Sequence, residues 1–549
     1  MSEQELKLHV PAVSRRGVQN EVRQRDAVRI RLHALYFDTP TRELARARIA
    51  LRLRQEGRDW VQTLKMPGAD AITRVEVNHP RPGPVLDLSV YAGTEFEAPL
   101  SSLKGELGLC YETDVQRLLR KVRGRHGTVE LAYDTGVLRA GSLELPISEL
   151  EFELVSGRPA AIFAMARRWQ QRYGLVLDAR SKSERGDALA RLARELAALD
   201  AADPDAQARR STAIAQFWAP RGAAPVVLEE DLTPAQAMGR VAAECLDQVA
   251  RNAAILAEVD TLGVYPAGQS EHVHQLRVGM RRLRSAWRLF DGWIAPPPEA
   301  VLQGVRTHFA AFGQNRDQDV LNETVTPALL RAGMPVITFD VPPPDIDSQA
   351  IAAGKAFQGW LLDVLEWSLD VRPPSPALMP AAASAPGDDA APEPAFSLDG
   401  TAAAPSVTPT IIPMSAEPAP QVLRKLLASR LHRWHAKVAG QGKHFSALDI
   451  PTRHELRKRG KRLRYGLSFA ESLLPQARLR GYRKQLSEVQ DLLGEINDLA
   501  MAKDYYQACT GTHPQAWFAL GWISARLDKL TAEAQRAFDR LAGTRPFWK

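Results

Sequence analysis

The chain opens with the segment Glu3-Gln4-Glu5-Leu6-Lys7, in which charged residues alternate with the uncharged Gln4 and Leu6. Alternate side chains of a β-strand point to opposite faces of the sheet, so the two glutamates and the lysine share one face and Leu6 lies on the other. The inward face of a half-buried strand is ordinarily apolar. The pattern therefore raises the question of which face of this strand points inward.

Four later segments carry polar or charged residues at the same period of two. They are ALRLR with Arg52 and Arg54, WVQTLK with Thr63 and Lys65, TRVEVN with Arg74, Glu76 and Asn78, and SELEFEL with Glu149, Glu151 and Glu153. A barrel closed from such strands would have a charged lumen, which is costly unless it holds water, metal or a polyanion. Exposed salt-bridge ladders are the alternative explanation. Because both signs of charge recur on most of these strands, the pattern favours a functional lumen.

The composition indicates a protein of several globular domains. Its 549 residues correspond to about two to four domains of ordinary size. A net charge of +7 favours anionic partners. Cys110, Cys245 and Cys509 are widely spaced and fit a reducing cytosol. Because the N-terminus is charged and apolar runs are short, we expect a soluble cytoplasmic protein without membrane partners.

Secondary-structure signals divide the chain into two parts. Short alternating runs broken by turn residues predict antiparallel β structure up to about residue 157. Helical spacing follows Pro159 and again runs from Lys182 to about residue 199, and we expect both helices to pack on the outside of a barrel.

We predict three regions from these signals. The first domain covers residues 1–200, a linker covers 201–227, and an all-helical domain covers 228–549. Residues 372–420 are rich in proline, alanine and serine, and we expect this insertion to stay extended and mobile.

Two basic helices of the second domain repeat one spacing, i, i+3, i+7 and i+10. We call their eight residues the basic face: His274, Arg277, Arg281 and Arg284, with His454, Arg457, Lys461 and Arg464. The segments at 312–319 and 493–500 also correspond, which indicates an internal duplication.

The basic face needs a counter-charge, because like charges at helical spacing repel each other. A multiply charged anion or acidic helices could supply it, and a solvated face neutralised by its neighbours is the alternative. The absence of clear aromatic interleaving makes nucleic acid a poor partner, and a bare phosphate chain fits better.

The charged strands suggest phosphate chemistry. Carboxylates bind hard divalent cations, arginine and lysine bind phosphate oxygens, and a polyphosphate requires both. The sequence has no P-loop motif and no nucleophile with an obvious base, which favours attack by a metal-activated water.

The motifs of the first domain resemble the CYTH superfamily, also called triphosphate tunnel metalloenzymes. In chain order they are ExExK at 3–7, YFDT at 36–39, ALRLR at 50–54, TLK at 63–65, RxExN at 74–78, ELEFE at 149–153 and SKxxRG at 181–186. The resemblance covers about residues 1–190, with Arg48 standing where the family often has glycine. It implies an eight-stranded antiparallel barrel forming a tunnel, with Mg²⁺ or Mn²⁺ and hydrolysis of triphosphate to diphosphate and phosphate.

The resemblance also implies roles for individual residues. The expected metal ligands are Glu3, Glu5, Glu149, Glu151 and Glu153. The expected triphosphate-binding residues are Lys7, Arg52, Arg54, Lys65, Arg74, Glu76, Arg117 and Lys182. Among these, the expected catalytic residues are Lys7, Arg52, Arg54 and Lys65.

The second domain is similar to the CHAD domain, a duplicated helical module that associates with CYTH domains and binds polyphosphate. Both basic helices match, and so does an RDxDV-like stretch from Arg316 to Val320. The second half has Ala500 where the first has Asp319, so the halves need not bind equivalently.

Together these features predict a metal-dependent inorganic triphosphatase whose helical domain binds inorganic polyphosphate. One alternative is a nucleotide-processing CYTH enzyme, an adenylyl cyclase or thiamine triphosphatase, which would need an aromatic subsite such as Trp60 or Tyr36. The other is a non-catalytic polyphosphate-binding protein, which would have little use for five glutamates facing its ligand.

Overall fold

The computed structural model describes residues 2–200, 204–259, 270–337, 347–374, 423–544 and 546–548, with the backbone alone at 2, 314–320 and 322. The predicted insertion lies outside the described residues from residue 375 onward. The side chains of the Arg316–Val320 stretch also lie outside them.

Nine β-strands form one antiparallel sheet. They are β1 (Ser2–His9), β2 (Val28–Asp38), β3 (Ala50–Glu56), β4 (Asp59–Pro67), β5 (Thr73–Arg81), β6 (Gly108–Gly124), β7 (Gly127–Ala140), β8 (Leu143–Gly157) and β9 (Val176–Leu177). Eight of them follow the order β5-β4-β3-β2-β6-β7-β8-β1, and residues 2–4 of β1 pair with residues 73–75 of β5 to close the sheet. This closure confirms the predicted eight-stranded antiparallel barrel. The short β9 pairs with the end of β1.

The apolar face of β1 points outward. Leu6 lies beside Phe152 of β8 and Leu8 beside Leu150, and all four are buried in one core cluster. Helix α4 (Ala160–Tyr173) covers this outer face with the buried side chain of Phe163. The charged face of the strand consequently points into the lumen, which answers the question raised by the sequence.

Helix α5 (Lys182–Ala197) lies across one end of the lumen. Its Leu189 and Ala190 pack on inward-facing Tyr36 and Tyr111, so the expectation that α5 packs on the outside of the barrel was wrong. A Cβ at Gly186 would lie 2.2 Å from the Tyr111 ring, which shows how closely the helix approaches the barrel interior. Amphipathic spacing predicted the helix but could not tell which side of the barrel its apolar stripe meets.

The other described helices are mostly in the second domain. The first domain adds α1 (Arg15–Val22), α2 (Glu43–Arg46) and α3 (Glu97–Ser101). The remainder are α6 (Ala206–Phe217), α7 (Pro234–Leu256), α8 (Ser270–Phe290), α9 (Glu299–Val320), α10 (Thr326–Arg331), α11 (Ser348–Ala353), α12 (Lys355–Leu369), α13 (Leu423–Gly442), α14 (Ile450–Phe469), α15 (Gln476–Cys509) and α16 (Ala516–Gly543). The mostly helical second domain is as predicted, and α6 occupies part of the predicted linker. None of the described helices combines the length and apolarity needed to cross a bilayer.

The two basic helices, α8 and α14, pack against each other.

The start of α7, which packs on α8, is fixed by a capping box. Thr233 Oγ1 accepts from Gln236 N at 3.2 Å, and Gln236 Oε1 accepts from Thr233 N at 3.0 Å.

The barrel and the helical domain share a continuous apolar core, and polar contacts cross between α4 and α12. Arg167 Nε donates to Asp363 Oδ1 at 2.8 Å. Gln358 accepts from Leu177 N at 2.8 Å and donates to Ala352 O at 2.6 Å, so one buried side chain satisfies backbone groups on both sides.

Candidate functional site

The barrel lumen separates charge between its two walls. A cavity of about 1890 Å³ runs from the lumen to a cleft against the helical domain. One wall, β3 to β6, carries Arg52, Arg54, Lys65, Arg74 and Arg117. The opposite wall, formed by β7, β8 and β1, carries most of the carboxylates. This arrangement brings predicted residues of six strands, β1, β3, β4, β5, β6 and β8, into one site.

Glu76 provides the counter-charge on the basic wall. Its carboxylate lies 3.3 Å from Arg52 Nη2 and 3.3 Å from Lys65 Nζ. Burial would raise the pKa of Glu76, but these two cations and Arg54 outweigh it and hold the pKa at about 2. Lys65 also reaches Glu5 at 3.2 Å, so its ammonium lies between two carboxylates.

A second cluster joins the acidic wall to α5. Asp134 is fully buried, and Arg117 Nη2 lies 2.6 Å from both Asp134 and Glu151. Lys182 at the start of α5 lies 2.7 Å from Asp134 and 2.8 Å from Glu151, and it also pairs with Glu149. Burial alone would raise the pKa of Glu151, but Lys182 and Arg117 hold it well below its usual range.

The carboxylates at the other end of this wall are less neutralised. Burial, and then repulsion from Glu3 and Glu130, raises the pKa of Glu153 to about 7. Burial and Glu76 likewise raise the pKa of Glu3. Glu5 and Glu153 are register partners on adjacent strands, as are Glu130 and Glu153. Because a cation would relieve this repulsion and carboxylates are hard oxygen donors, the group fits a divalent ion such as Mg²⁺ or Mn²⁺.

A further acidic group meets a geometric requirement for metal binding. Asp134, Glu149 and Glu151 offer carboxylate oxygens that all lie within 4.8 Å of one another. Their pairing with Lys182 and Arg117 makes the group around Glu153 the better fit for a metal.

Lys7 and Arg74 lie at the edges of the charged region. The ammonium of Lys7 donates to the backbone carbonyl of Arg180, and burial lowers the pKa of Lys7. Arg74 Nη1 donates to Thr73 O at 2.8 Å, and its Nε lies 3.6 Å from Glu5. Both line the same cavity as Arg52 and Lys65.

Sequence reasoning missed three lumen residues. Glu130 and Asp134 alternate with outward residues on β7 in TVELAYDTG, a period-two signal that was present but belonged to none of the quoted motifs. Arg185 stands inside the SKxxRG motif and pairs with Glu149 from α5.

The basic face is assembled from both halves of the helical domain. The guanidinium carbons of Arg277, Arg281 and Arg284 lie 4.2, 5.9 and 5.8 Å from the centre of the Phe309 ring. Arg277 Nη1 also donates to Phe309 O at 2.7 Å, so one aromatic residue of α9 holds three arginines of α8.

Lys461 of α14 shows that the two basic helices face each other. Its pKa is lowered to about 6 by burial and then by Arg281, Arg457 and Arg464. Among the described residues, no partner accepts from the buried Nε atoms of these three arginines. The described parts of the basic face therefore concentrate positive charge that an anion could compensate.

Comparison with protein families matches two family models to the chain. The CYTH domain model matches residues 1–186, and the CHAD domain model matches residues 240–507. The protein is a fusion of a CYTH domain and a CHAD domain. The barrel lumen lies in the CYTH domain and the basic face in the CHAD domain.

A curated relative of this CYTH-CHAD protein is the inorganic triphosphatase of Haemophilus influenzae, which is 31% identical over 157 residues. The match covers 28% of this chain and 44% of the relative, so it spans less than half of that protein's length.

Two solved structures are similar to separate parts of the chain. The CHAD domain from the plant Ricinus communis is 22% identical, covers 60% of this chain and 98% of its own, and has a TM-score of 0.39. The second structure, HpAC1 from Hippeastrum, is 18% identical. That protein is described as a possible adenylyl cyclase with a dominant triphosphatase activity. It covers 33% of this chain and 93% of its own, with a TM-score of 0.26.

Proposed function

We propose that the CYTH domain hydrolyses inorganic triphosphate to diphosphate and phosphate with Mg²⁺ or Mn²⁺, and that the CHAD domain binds inorganic polyphosphate. The observation that carries the first part is the separation of charge in the lumen. Cations on one wall suit phosphate oxygens, and carboxylates on the other suit metal ions. The triphosphatase from Haemophilus influenzae supports this reaction class for the barrel.

The chain's own residues would bind and orient the substrate. Arg52, Arg54 and Lys65 would bind phosphoryl oxygens and stabilise the charge that develops on them during hydrolysis. Glu76 keeps these cations charged and in place, as its own lowered pKa indicates. Glu3, Glu5 and Glu153 would hold the divalent ion, which supplies an activated water when bound.

The aromatic residues of the barrel favour an inorganic substrate over a nucleotide. Trp60 and Lys65 of β4 are separated by an odd number of positions, so their side chains point to opposite faces of the sheet. Lys65 faces the lumen, and Trp60 therefore lies on the outer face. Tyr36 stacks on Tyr111 with ring centroids 4.6 Å apart, and both are covered by α5. Neither candidate therefore offers a free ring to an organic group inside the lumen.

The test is phosphate release from inorganic triphosphate, ATP and thiamine triphosphate in parallel, with Mg²⁺, Mn²⁺ or EDTA. We expect fast release from inorganic triphosphate alone, abolished by EDTA. The variants Glu5→Gln and Glu151→Gln should each lower turnover by more than about 100-fold. Preference for an organic triphosphate would establish the nucleotide alternative, and no release from any substrate would leave a binding protein.

Polyphosphate binding is tested separately, with long-chain polyphosphate as the probe. The double variant Arg281→Ala and Lys461→Ala should weaken binding and reduce its dependence on salt, because two cationic side chains are removed. Triphosphate turnover should be largely kept. Equal loss of both activities would contradict separate sites.

A further inference from the structure

Trp218 lies between the two matched family domains, yet it is buried against the tunnel. It follows α6 directly, is 5% exposed, and packs in the cluster that contains Tyr36, Tyr111 and Leu189. Ile255 of α7 joins the same cluster, so α5 is packed between the barrel and the helical domain. A residue from the predicted linker therefore forms part of the wall behind the lumen.

The Trp218 ring contacts the loop that adjoins two lysines of the site, Lys7 of β1 and Lys182 of α5. The guanidinium of Arg180 lies 4.6 Å from the ring centre, close enough for a cation–π contact. Arg180 is 7% exposed and pairs with Asp178 through two bonds of 2.9 and 3.0 Å. These contacts fix the loop 178–181 immediately before α5.

This loop determines where Lys7 and Lys182 lie. The carbonyl of Arg180 accepts from the Lys7 ammonium. Ser181 then caps α5 by accepting from Glu184 N at 3.1 Å, and Lys182 enters the cluster of Asp134 and Glu151. A shift of the loop would displace both ammonium groups together.

The helical domain anchors Trp218 and α5 from behind. His272 of the basic helix α8 lies 2.9 Å from Trp218 O, and because a carbonyl only accepts, its Nε2 carries the proton. Arg251 of α7 donates to Glu184 Oε2 at 3.0 Å and to Asp247 Oδ1 at 2.6 Å. Helix α7 thus reaches the first turn of α5, and α8 reaches Trp218, whose ring contacts Arg180 in the loop before α5.

We infer that Trp218 is a positioning residue for the tunnel, through which the CHAD domain holds Lys7 and Lys182 in place for triphosphate. The inference rests on the proposed function of the lumen. Trp218 lines the same cavity as these lysines, and it acts on them through Arg180. The positioning of the two lysines therefore depends on a residue beyond the CYTH domain.

The test compares Trp218→Leu with Trp218→Phe in the full chain. Leucine keeps the position apolar but cannot stack on a guanidinium, whereas phenylalanine can. The indole N–H of Trp218 has no hydrogen-bond partner among the described residues, so neither substitution breaks a hydrogen bond of that group. Trp169→Leu, at an equally buried tryptophan of α4, is the matched control for lost packing.

We expect Trp218→Leu to lower kcat/KM for triphosphate by about tenfold or more, and Trp218→Phe to stay within about twofold of the parent. Trp169→Leu should affect thermal stability without this kinetic loss. Calorimetric titration with triphosphate in EDTA gives a second readout, in which Trp218→Leu should bind about tenfold more weakly.

Equal kinetics and equal binding for Trp218→Leu and the parent would overturn the positioning role. Losses that match those of Trp169→Leu would overturn it as well. An inactive parent would instead overturn the proposed hydrolysis, and the titration in EDTA would then decide the positioning role alone.

Discussion

Glu151 and Glu153 lie two residues apart on β8, and the lumen gives them opposite electrostatic surroundings. Glu151 is held by Lys182 and Arg117, which keep its pKa well below the usual range against the effect of burial. Glu153 is buried near other carboxylates, and its pKa is raised to about 7. The ionised form of Glu151 thus favours the folded state, and the ionised form of Glu153 opposes it.

Replacing each glutamate by glutamine should change stability in opposite directions. Glu153→Gln should raise the melting temperature in EDTA at pH 8 and have little effect at pH 5. The ionised Glu153 carboxylate destabilises the folded state, and this destabilisation grows as the pH rises from the ordinary glutamate pKa to about 7. Glu151→Gln should destabilise at both pH values, by about 3–5 kcal/mol, because it leaves buried cations undercompensated. Thermal unfolding followed by circular dichroism measures both, and shifts of the same sign at pH 8 would contradict the assignment.

At the scale of elements, α8 and α14 bring like charges together across the duplication. Besides burial, Arg281 of α8 and the arginines of its own helix lower the pKa of Lys461 of α14. With a pKa of about 6, Lys461 is mostly neutral at pH 8. A polyanion bound there would restore the ordinary pKa. Binding should therefore take up a proton.

Polyphosphate affinity should rise as pH falls from 8 to 6, by up to about tenfold per pH unit, and level off below the free pKa of Lys461. Long chains keep the contribution of titrating terminal phosphates small. Calorimetry in buffers of different ionisation enthalpy should detect the proton uptake. In Lys461→Met the slope should be smaller, and an unchanged slope would exclude Lys461 as the titrating group.

Phe309 is the local organiser of the same surface. Its ring and its carbonyl contact Arg277, and its ring also lies near Arg281 and Arg284. One uncharged residue of α9 thus contacts three cations of α8.

At the scale of the whole molecule, the interface between α4 and α12 predicts that the two domains unfold as one cooperative unit. The core is continuous across it, and Gln358 satisfies backbone groups of both domains. Removal of this side chain would leave the buried N–H of Leu177 unsatisfied, at a cost of about 1–3 kcal/mol.

Calorimetric unfolding of the parent should show one transition, and Gln358→Leu should separate it into two. Gln490→Leu is the matched control, because Gln490 is also buried but bonds Gly460 O within the CHAD domain. This control should lower the melting temperature without splitting the transition. Two transitions in the parent would show that the interface does not couple the domains.

Charges at period two on strands whose other face is apolar indicated a charged lumen, and the resemblance to the CYTH superfamily implied the eight-stranded barrel. The sequence also located the lumen residues on β1, β3, β4, β5 and β8. It missed Glu130 and Asp134, whose strand lacks a recognisable motif, although their alternation is visible. Arg48 adopts φ 61 in the turn before β3, so the residue that departs from the family still takes the left-handed conformation.

Features that depend on packing between distant segments could not be predicted. Amphipathic spacing gave α5 but not its place across the lumen. The segment around Trp218 has little periodicity, and only the fold brings its ring to Arg180. That α8 and α14 face each other likewise follows from the tertiary structure, because the sequence of each helix alone indicates only an ordinary basic surface.

The closure of the barrel through β1 has a consequence for biosynthesis. Glu3 lies beside Arg74, and Glu5 lies beside Glu153. A nascent chain leaving the ribosome thus exposes its first strand long before both neighbours exist, and Lys182 and Trp218 follow later still. The charged lumen can be complete only after Lys182 has emerged, because long-range pairing must wait for its partners. Until then the charged inner face is compatible with water, and the outer apolar face is the one that needs protection from aggregation.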